Sequence, residues 1–455
     1  PPTHTPTSRC SSAASDVYKR QWCGRPSGYP FWQPSLPRST RPGGFVMTMR
    51  SGVCGMVERR AGYRIWAAGI VTIGLTMLIT WWLSSRGVGH HSSAESASPD
   101  FGNLVDFLAS PTEADFDQVV RGRRFSFPAD HGAHPGFRQE WWYFTGRLET
   151  SAGREFGYQL TFFRFAGSQA DQPDSVWSAS QSWMAHLAVT DVAGGRFYRA
   201  EDFSRGALDL AGAKGNPFTV WVNGWSVDGS AAGRDCPGCF TATMAAENDD
   251  VALSLQLRAD QPPVLQGEDG YSMKTADGRA ASYYYSMPGI ATGGSLTVDG
   301  ESIEISGDSW MDRAWSSAVL TPGHSGWDWF SLNLDNDQRF TLFQVRESGA
   351  PPHVSVSLID SQGQNQSLDP AGISLTPLRY WTSNETGARY PVEWQIQGRH
   401  PAGDWQLEIS PVMDSQEMAL AFRYYEGLVK IEGVWAGEPV KGWGYMELTG
   451  YGSSD

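Results

Sequence analysis

The spacing of short segments over residues 101–455 constrains the fold most strongly. Alternating or aromatic-rich runs recur there between Gly, Asp and Asn turn signals, and helical periodicity is almost absent. Residues 140–149 and 155–165 flank a turn at 150–154 and predict an antiparallel hairpin. Further strands are expected at similar intervals, with a helix only at 103–109 and a turn near 312–317. This pattern predicts an all-β body of sandwiches or barrels.

An internal similarity suggests that the body is duplicated. GSLTVDG at 294–300 resembles GLVKIEG at 427–433, and GDSWMD at 307–312 resembles GWGYME at 442–447. In this correspondence Trp310 matches Tyr445, and Asp312 matches Glu447. We interpret the two segments as the closing hairpins of two copies of one barrel. Chance similarity between β-rich segments is the alternative.

The charge divides the chain into two parts. Residues 1–99 contain 11 Lys and Arg against 3 Asp and Glu, whereas the remainder contains 24 against 46. The uncharged segment 65–83 lies at the end of the basic part and is long enough to cross a bilayer as a helix. The basic residues before it predict a cytoplasmic N-terminus and an acidic body that is periplasmic or on the cell surface. An uncleaved signal-anchor is favoured over a cleaved signal peptide or a buried core helix.

These features divide the chain into four segments. The first methionine is Met47, and residues 1–46 are interpreted as a non-native or disordered extension. Residues 47–99 contain the basic flank, the single-pass membrane segment and a small polar tether. Residues 100–312 and 313–455 are expected to form the N-terminal and C-terminal barrels.

Two long segments of the body carry a resemblance to a known family. Residues 127–164, with the block EWWY, and 310–346, with WMD and GWDW, resemble AttH-type proteins and carotenoid 1,2-hydratases (hydroxyneurosporene synthases). Residues 185–191 and 444–451 fit the same lipocalin-like superfamily. The resemblance implies two tandem lipocalin-like antiparallel β-barrels, preceded here by the transmembrane helix. In the hydratases an aromatic-x-Asp element supplies an acid, and Trp310-Met311-Asp312 matches it, but Ala314 replaces a glutamate that related members carry.

Hydration of an isolated C=C bond requires an acid in an apolar site and aromatic faces that stabilise a cation. Asp312 is the predicted general acid, and a structural carboxylate that pairs with Arg313 or caps a turn is the alternative. The other candidate catalytic residues are Trp310, Tyr285, His186 and Glu140. The predicted ligand-binding residues are Trp141, Trp142, Tyr143, Trp315, Trp327 and Trp329.

Two further clusters bear on cofactors. His131, His134, Glu140 and His186 could bind a metal ion, but a polar cluster at the barrel mouth is favoured because the two nearby histidines lie in a Gly/Pro loop. No cofactor and no metal are therefore expected. Cys236 and Cys239 are predicted to form a structural disulfide in an exported domain.

Three functional hypotheses follow. The first is a membrane-anchored protein that binds a long apolar ligand, a lipid or isoprenoid/carotenoid, in an aromatic-lined cavity. The alternative is a carotenoid 1,2-hydratase-type enzyme that uses Asp312 as its acid. A structural partner of a membrane transporter is the third. The acidic body argues against nucleic-acid binding.

Overall fold

The computed structural model describes residues 116–167, 181–230, 235–321 and 323–452. These residues form an all-β structure of two antiparallel, barrel-like sheets, which confirms the all-β part of the predicted fold class. The predicted helix at 103–109 and the predicted membrane segment at 65–83 lie outside them. Within the described ranges, the helices are all too short or too polar to cross a bilayer.

The first sheet contains the strands from the N-terminal part of the body. They are β1 (Gln139–Glu149), β2 (Glu155–Ala166), β3 (Gln181–Asp191), β4 (Arg196–Arg205), β5 (Ala211–Gly215), β6 (Phe218–Val222), β7 (Trp225–Gly229), β8 (Phe240–Glu247), β9 (Val251–Ala259), β10 (Val264–Leu265), β11 (Tyr271–Met273), β12 (Ala281–Val298) and β13 (Glu301–Ala318). Their order is β4-β3-β2-β1-β13-β12-β9-β8-β7-β6-β5, with β10 and β11 also paired to β12. The side chain of Asn223, in the β6–β7 turn, donates a hydrogen bond to the carbonyl of Phe203 in β4 at 3.2 Å. This sheet is therefore nearly closed.

The second sheet repeats that arrangement as a half-barrel. Its strands are β14 (His324–Leu334), β15 (Arg339–Glu347), β16 (His353–Ile359), β17 (Asn365–Ser367), β18 (Ser374–Thr382), β19 (Arg389–Gly398), β20 (Trp405–Pro411), β21 (Glu417–Met418), β22 (Tyr424–Trp435) and β23 (Glu438–Thr449). Their order is β17-β16-β15-β14-β23-β22-β20-β19-β18. Each sheet thus has a four-stranded meander whose first strand pairs with the second strand of the closing hairpin. Short 3-10 helices lie at Ala129–His131, Ala207–Asp209 and Pro370–Gly372.

The turn expected near 312–317 is absent, because β13 continues through it to Ala318 and pairs with β1 and β12 on either side. Asp312 and the residues that follow it up to Ser317 are almost completely buried, because this segment is a central strand with a neighbour on each edge. The strand also continues across the boundary that we placed between 312 and 313, and the second sheet begins at His324.

Three large apolar clusters and a small fourth one, of Ala188, Met418 and Tyr424, hold the described part of the body together. One fills the inside of the first sheet, one lines the inner face of the second, and a third lies between the two sheets. The third cluster contains Tyr143 and Trp310 from the first sheet, and Trp329 and Tyr445 from the second. The sheets approach closely at Gly157, where an added Cβ would lie 2.5 Å from the hydroxyl of Tyr445. This contact between the sheets positions the candidate site.

Candidate functional site

A cavity of about 100 Å³ lies between the two sheets, and both sheets line it. Because side chains alternate across a strand, β1 directs Trp141 and Tyr143 into the cavity and Trp142 into the core of the first sheet. In the same way, β14 directs Trp327 and Trp329 into the cavity. The lining is Trp141, Tyr143, Thr161, Phe163, Phe165, Lys274, Tyr284, Asp312, Ala314, Val319, Leu320, Trp327, Trp329, Phe343, Val345, Tyr424 and Glu447.

The two halves of the cavity correspond through the strand register. Asp312 pairs with Tyr143 in β1, and Glu447 pairs with Trp329 in β14. The rings of Tyr143 and Trp329 meet edge to face, with their centroids 5.1 Å apart. The cavity is therefore built from equivalent positions of two similar sheets, which agrees with the duplication that the sequence suggests.

Asp312 is buried and is surrounded by donors. Ser286 Oγ donates to its Oδ1 at 2.6 Å, Trp310 Nε1 donates to the same oxygen at 2.7 Å, and Tyr284 donates to Oδ2. Burial raises the pKa of Asp312 to about 6, although these three hydrogen bonds favour the carboxylate. Asp312 can therefore change its protonation state near neutral pH.

Glu447 occupies the corresponding position in the second half of the cavity. Trp327 Nε1 donates to its Oε1 at 2.7 Å. Burial raises the pKa of Glu447 to about 7, and the charge of Asp312 acts in the same direction. The cavity thus contains two carboxyl groups that titrate near neutral pH.

A third carboxyl group lies behind Glu447. Glu426 pairs with Glu447 across β22 and β23, and it is completely buried. Tyr143 donates to Glu426 Oε1 at 2.6 Å, whereas Oε2 has no hydrogen-bond partner among the described residues. Burial and the nearby charge of Glu447 raise the pKa of Glu426 well above its usual value.

Lys274 is the buried cation of the cavity lining. Its Nζ donates to Ser272 Oγ at 3.0 Å and lies 4.0 Å from the ring centroid of Phe343. Burial lowers the pKa of Lys274 to about 7, while the charge of Asp312 opposes this change. An ammonium group at this position favours the ionised form of Asp312.

Glu140 lies away from this cavity, in a buried ion network. It contacts Arg164 Nε and Arg313 Nη2, and it accepts a hydrogen bond from the backbone N–H of His134 at 2.8 Å. Burial alone would raise the pKa of Glu140, but the two guanidinium groups outweigh it and hold that pKa below its usual range. Glu140 is consequently an anion near neutral pH, and its position in the fold is that of a structural residue.

The other predicted catalytic residues, Tyr285, His186 and Trp310, do not line the cavity. The hydroxyl of Tyr285 lies 2.6 Å from His131 Nδ1 inside the first sheet, on the opposite face of β12 from Asp312. His186 is buried and does not line the cavity, but its Nδ1 lies 2.8 Å from the hydroxyl of the lining residue Tyr424. Trp310 supports Asp312 through its indole donor without lining the cavity.

Two predicted ligand-binding residues lie inside the first sheet. The indole of Trp142 donates to the carbonyl of His131 at 2.7 Å, and the ring of Trp315 stacks on His134 with centroids 3.9 Å apart. Both side chains are core residues because they occupy the inward positions of β1 and β13. The alternation between strand faces thus separates them from Trp141, Tyr143, Trp327 and Trp329, which line the cavity.

The histidine cluster at the start of the first sheet is held by polar contacts. His134 Nε2 lies 3.1 Å from Asp130 Oδ1, and Arg123 pairs with the same carboxylate at 2.8 Å. No group of three or more His, Cys, Asp or Glu side chains in the described part of the chain is arranged to hold a metal ion. Cys236 and Cys239 are joined by a disulfide.

Our site predictions omitted Lys274, Tyr284, Tyr424 and Glu447, although all four line the cavity. The correspondence of Asp312 with Glu447 in the repeated hairpin was a signal for Glu447. Tyr284 and Tyr424 lie in the tyrosine clusters at 283–285 and 424–425, which precede the two copies of that hairpin. Lys274 follows a three-residue strand, and no local pattern distinguishes it.

Comparisons with known proteins bear on the whole body. The sequence profile of the AttH-like family matches residues 118–451. A solved structure of an AttH protein from Nitrosomonas europaea is 36% identical, covers 74% of this chain and 99% of that chain, and has a TM-score of 0.65. Kievitone hydratase from Nectria haematococca is 16% identical, with coverages of 74% and 97% and a TM-score of 0.56, and shares the fold. A search of curated proteins finds no match. Because the profile spans most of the chain, the protein belongs to the AttH-like family of the lipocalin-like superfamily.

Proposed function

We propose that the cavity binds the unsaturated end of an apolar lipid or isoprenoid ligand and catalyses the addition of water to its C=C bond. The observation that carries this proposal is the presence of Asp312 and Glu447, two carboxyl groups with pKa values raised by burial, in one aromatic cavity. Such groups can hold and release a proton near neutral pH. We also propose that the two sheets are tandem lipocalin-like barrels.

The reaction needs only groups that line the cavity. A carboxyl group transfers its proton to one alkene carbon, and the π electrons of the C=C bond form the new C–H bond. The adjacent carbon becomes a cation, which the faces of Tyr143, Trp327 and Trp329 can stabilise. Water then forms the C–O bond and loses a proton to a carboxylate. The sequence predicts Asp312 as the acid, and Glu447 provides the second group that an acid–base pair requires.

The size of the cavity limits what it can hold. An engineered cavity of about 150 Å³ binds benzene, whereas this one is about 100 Å³. A single branched end of an isoprenoid chain is a better match than an entire carotenoid. We therefore expect the rest of a long ligand to extend out of the cavity.

Binding without turnover is the second candidate function. Ala314 lines the cavity, at the position where the family resemblance implies a glutamate in related members. The smaller, neutral side chain removes one acid from the site and leaves space for a ligand. This departure is the observation that supports an apolar-ligand carrier as the second candidate, and the carrier and the enzyme differ only in whether the bound ligand is chemically changed.

The location of the protein is a separate proposal. The basic N-terminal part and the apolar segment 65–83 support a single-pass anchor with the body outside the cytoplasm. The disulfide between Cys236 and Cys239 suits an oxidising compartment. A partner role beside a membrane transporter would follow from the same placement.

The test uses the purified full-length chain and an acyclic isoprenoid hydrocarbon such as squalene. Trp327 and Trp329 line the cavity, so binding should change tryptophan fluorescence. Hydration is measured by mass spectrometry as incorporation of ¹⁸O from labelled water. Asp312→Asn should retain binding and lose product, and Asp308→Asn, an exposed change on the same strand, should retain both. Binding without product in the wild type would support the carrier, and the absence of both would overturn the cavity as a ligand site.

A further inference from the structure

The two carboxyl groups of the cavity occupy equivalent positions in unequal surroundings. Asp312 pairs with Ser286 in β12, and Glu447 pairs with Glu426 in β22. A hydroxyl donor on one side is therefore replaced by a second carboxyl group on the other. Because the backbone arrangement is repeated, the difference between the two sites lies in their side chains.

The polar neighbours of Asp312 favour its anion, against the effect of burial. Three donors from Tyr284, Ser286 and Trp310 point at its two oxygens. The ammonium group of Lys274 acts on it from the end of β11 and further favours the charged form. Hydrogen bonds to a carboxylate and a nearby cation both lower the cost of ionisation.

The surroundings of Glu447 favour the neutral acid. Within the described residues it accepts one hydrogen bond, from Trp327 in β14. The ionisable groups that act with it are Glu426 and Tyr424 of β22, Tyr143 of β1 and Asp312 of β13, and each of them is neutral or negative. Two neighbouring carboxyl groups with no cation between them cannot both ionise cheaply.

An unpartnered atom points to the same conclusion. Glu426 is completely buried, and its Oε2 has no hydrogen-bond partner among the described residues. A buried carboxylate oxygen without a donor is costly, whereas a protonated carboxyl group is not. The pair of Glu426 and Glu447 therefore holds at least one proton at a pH at which Asp312 is ionised, and Glu447 is the member of the pair that lines the cavity.

We propose that Glu447 is the proton donor of the cavity and that Asp312 is the carboxylate that receives a proton from the attacking water. This assignment rests on the proposed hydration and reverses the role that the sequence predicts for Asp312. The O–H bond of Glu447 breaks as the alkene carbon gains the proton. Water forms a C–O bond with the cation, and one O–H bond of that water breaks as its proton passes to the carboxylate of Asp312. Transfer of that proton back to Glu447 restores the starting state, so the net reaction consumes only water.

The protonation states are tested without any ligand by infrared spectroscopy of the full-length chain. The carbonyl stretching band of protonated carboxyl groups is followed from pH 5 to pH 8 in the wild type, Glu447→Gln and Asp312→Asn. We expect Glu447→Gln to remove the higher of two components, with a midpoint near pH 7, and Asp312→Asn to remove the lower, with a midpoint near pH 6. Glu426, whose pKa is also raised, contributes to the same band in all three proteins. Asp312→Asn should also lower the midpoint of the remaining component, because it removes a neighbouring negative charge. Glu438→Gln, an exposed change on the same strand, should alter neither component.

Persistence of the higher component in Glu447→Gln would overturn the assignment. Trp327→Phe provides a second variant in case the first does not fold, since it removes the hydrogen bond to the Glu447 carboxylate and should raise the higher midpoint. An unchanged midpoint in Trp327→Phe would also contradict the proposal. Because the measurement requires no turnover, a protein that binds a ligand without hydrating it would still give a decisive result.

Discussion

Replacing Glu447 with glutamine should change how the stability of the fold depends on pH. In the folded protein burial raises the pKa of this carboxyl group from 4.5 to about 7. At a pH between these two values, Glu447 therefore holds a proton in the folded state and has lost it in the unfolded chain. The resulting contribution to the free energy of unfolding is fully present below pH 4.5 and is lost as the pH rises through 7.

The magnitude follows from the same two values. A pKa difference from 4.5 to about 7 corresponds to about 3 kcal/mol. Between pH 5 and pH 8 the wild type should lose about 2 to 3 kcal/mol of stability through Glu447 alone. Glutamine does not titrate, so Glu447→Gln should lack this component and show a flatter profile. Asp312, which titrates near pH 6, contributes in the same direction in both proteins.

The assay is urea unfolding of the full-length wild type and variant, followed by tryptophan fluorescence, at half-unit intervals from pH 5 to pH 8. The difference between the two profiles reports Glu447 together with its effect on the pKa of Glu426, because the remaining titrating groups are common to both proteins. Glu438→Gln serves as the matched control, since Glu438 is exposed on the same strand. Parallel profiles for Glu447→Gln and the wild type would refute the argument that burial raises this pKa.

Three further changes test other parts of the structure. Glu140→Gln leaves Arg164 and Arg313 buried without their anion, and it should lower the free energy of unfolding by about 3 to 5 kcal/mol in urea; a loss below about 1 kcal/mol would contradict the network. Lys274→Met removes the cation that acts on Asp312, so the pKa of Asp312 should rise, and a downward shift of its infrared titration would argue against that interaction. Ala314→Phe fills the cavity and should abolish the fluorescence response to squalene at a stability cost of about 1 to 3 kcal/mol; retained binding would place the ligand elsewhere.

The sequence predicts the architecture better than the site. Strand-like runs and turn signals identify an all-β body because their period is a local property of the chain. The repeated hairpin goes further and relates Asp312 to Glu447, two residues of the same cavity. The prediction of a turn near 312–317 was wrong. An aspartate and two serines indicate a turn locally, but pairing on both edges makes the segment a central strand.

The site predictions grouped residues by sequence block, whereas the fold separates them by strand face. Trp141 and Trp142 are adjacent in the chain, yet one lines the cavity and the other lies in the core of the first sheet. Glu140 lies on the inward face with Trp142, which places it among buried arginines. The alternation could have predicted that the two tryptophans differ, but not which of them would face the second sheet. That depends on how the sheets pack.

The repeated hairpin has a consequence for how such a site can arise. Two identical barrels joined by a twofold axis must present the same residue from each side, so their facing carboxyl groups would have equal proton affinities. Covalent duplication removes this restriction, since each half can then change alone. Aspartate with a serine neighbour in one half, and glutamate with a glutamate neighbour in the other, are an asymmetry that a symmetric dimer of identical chains cannot encode. Fusion of the two halves thus allows one carboxyl group to differ from its counterpart in charge as well as in length.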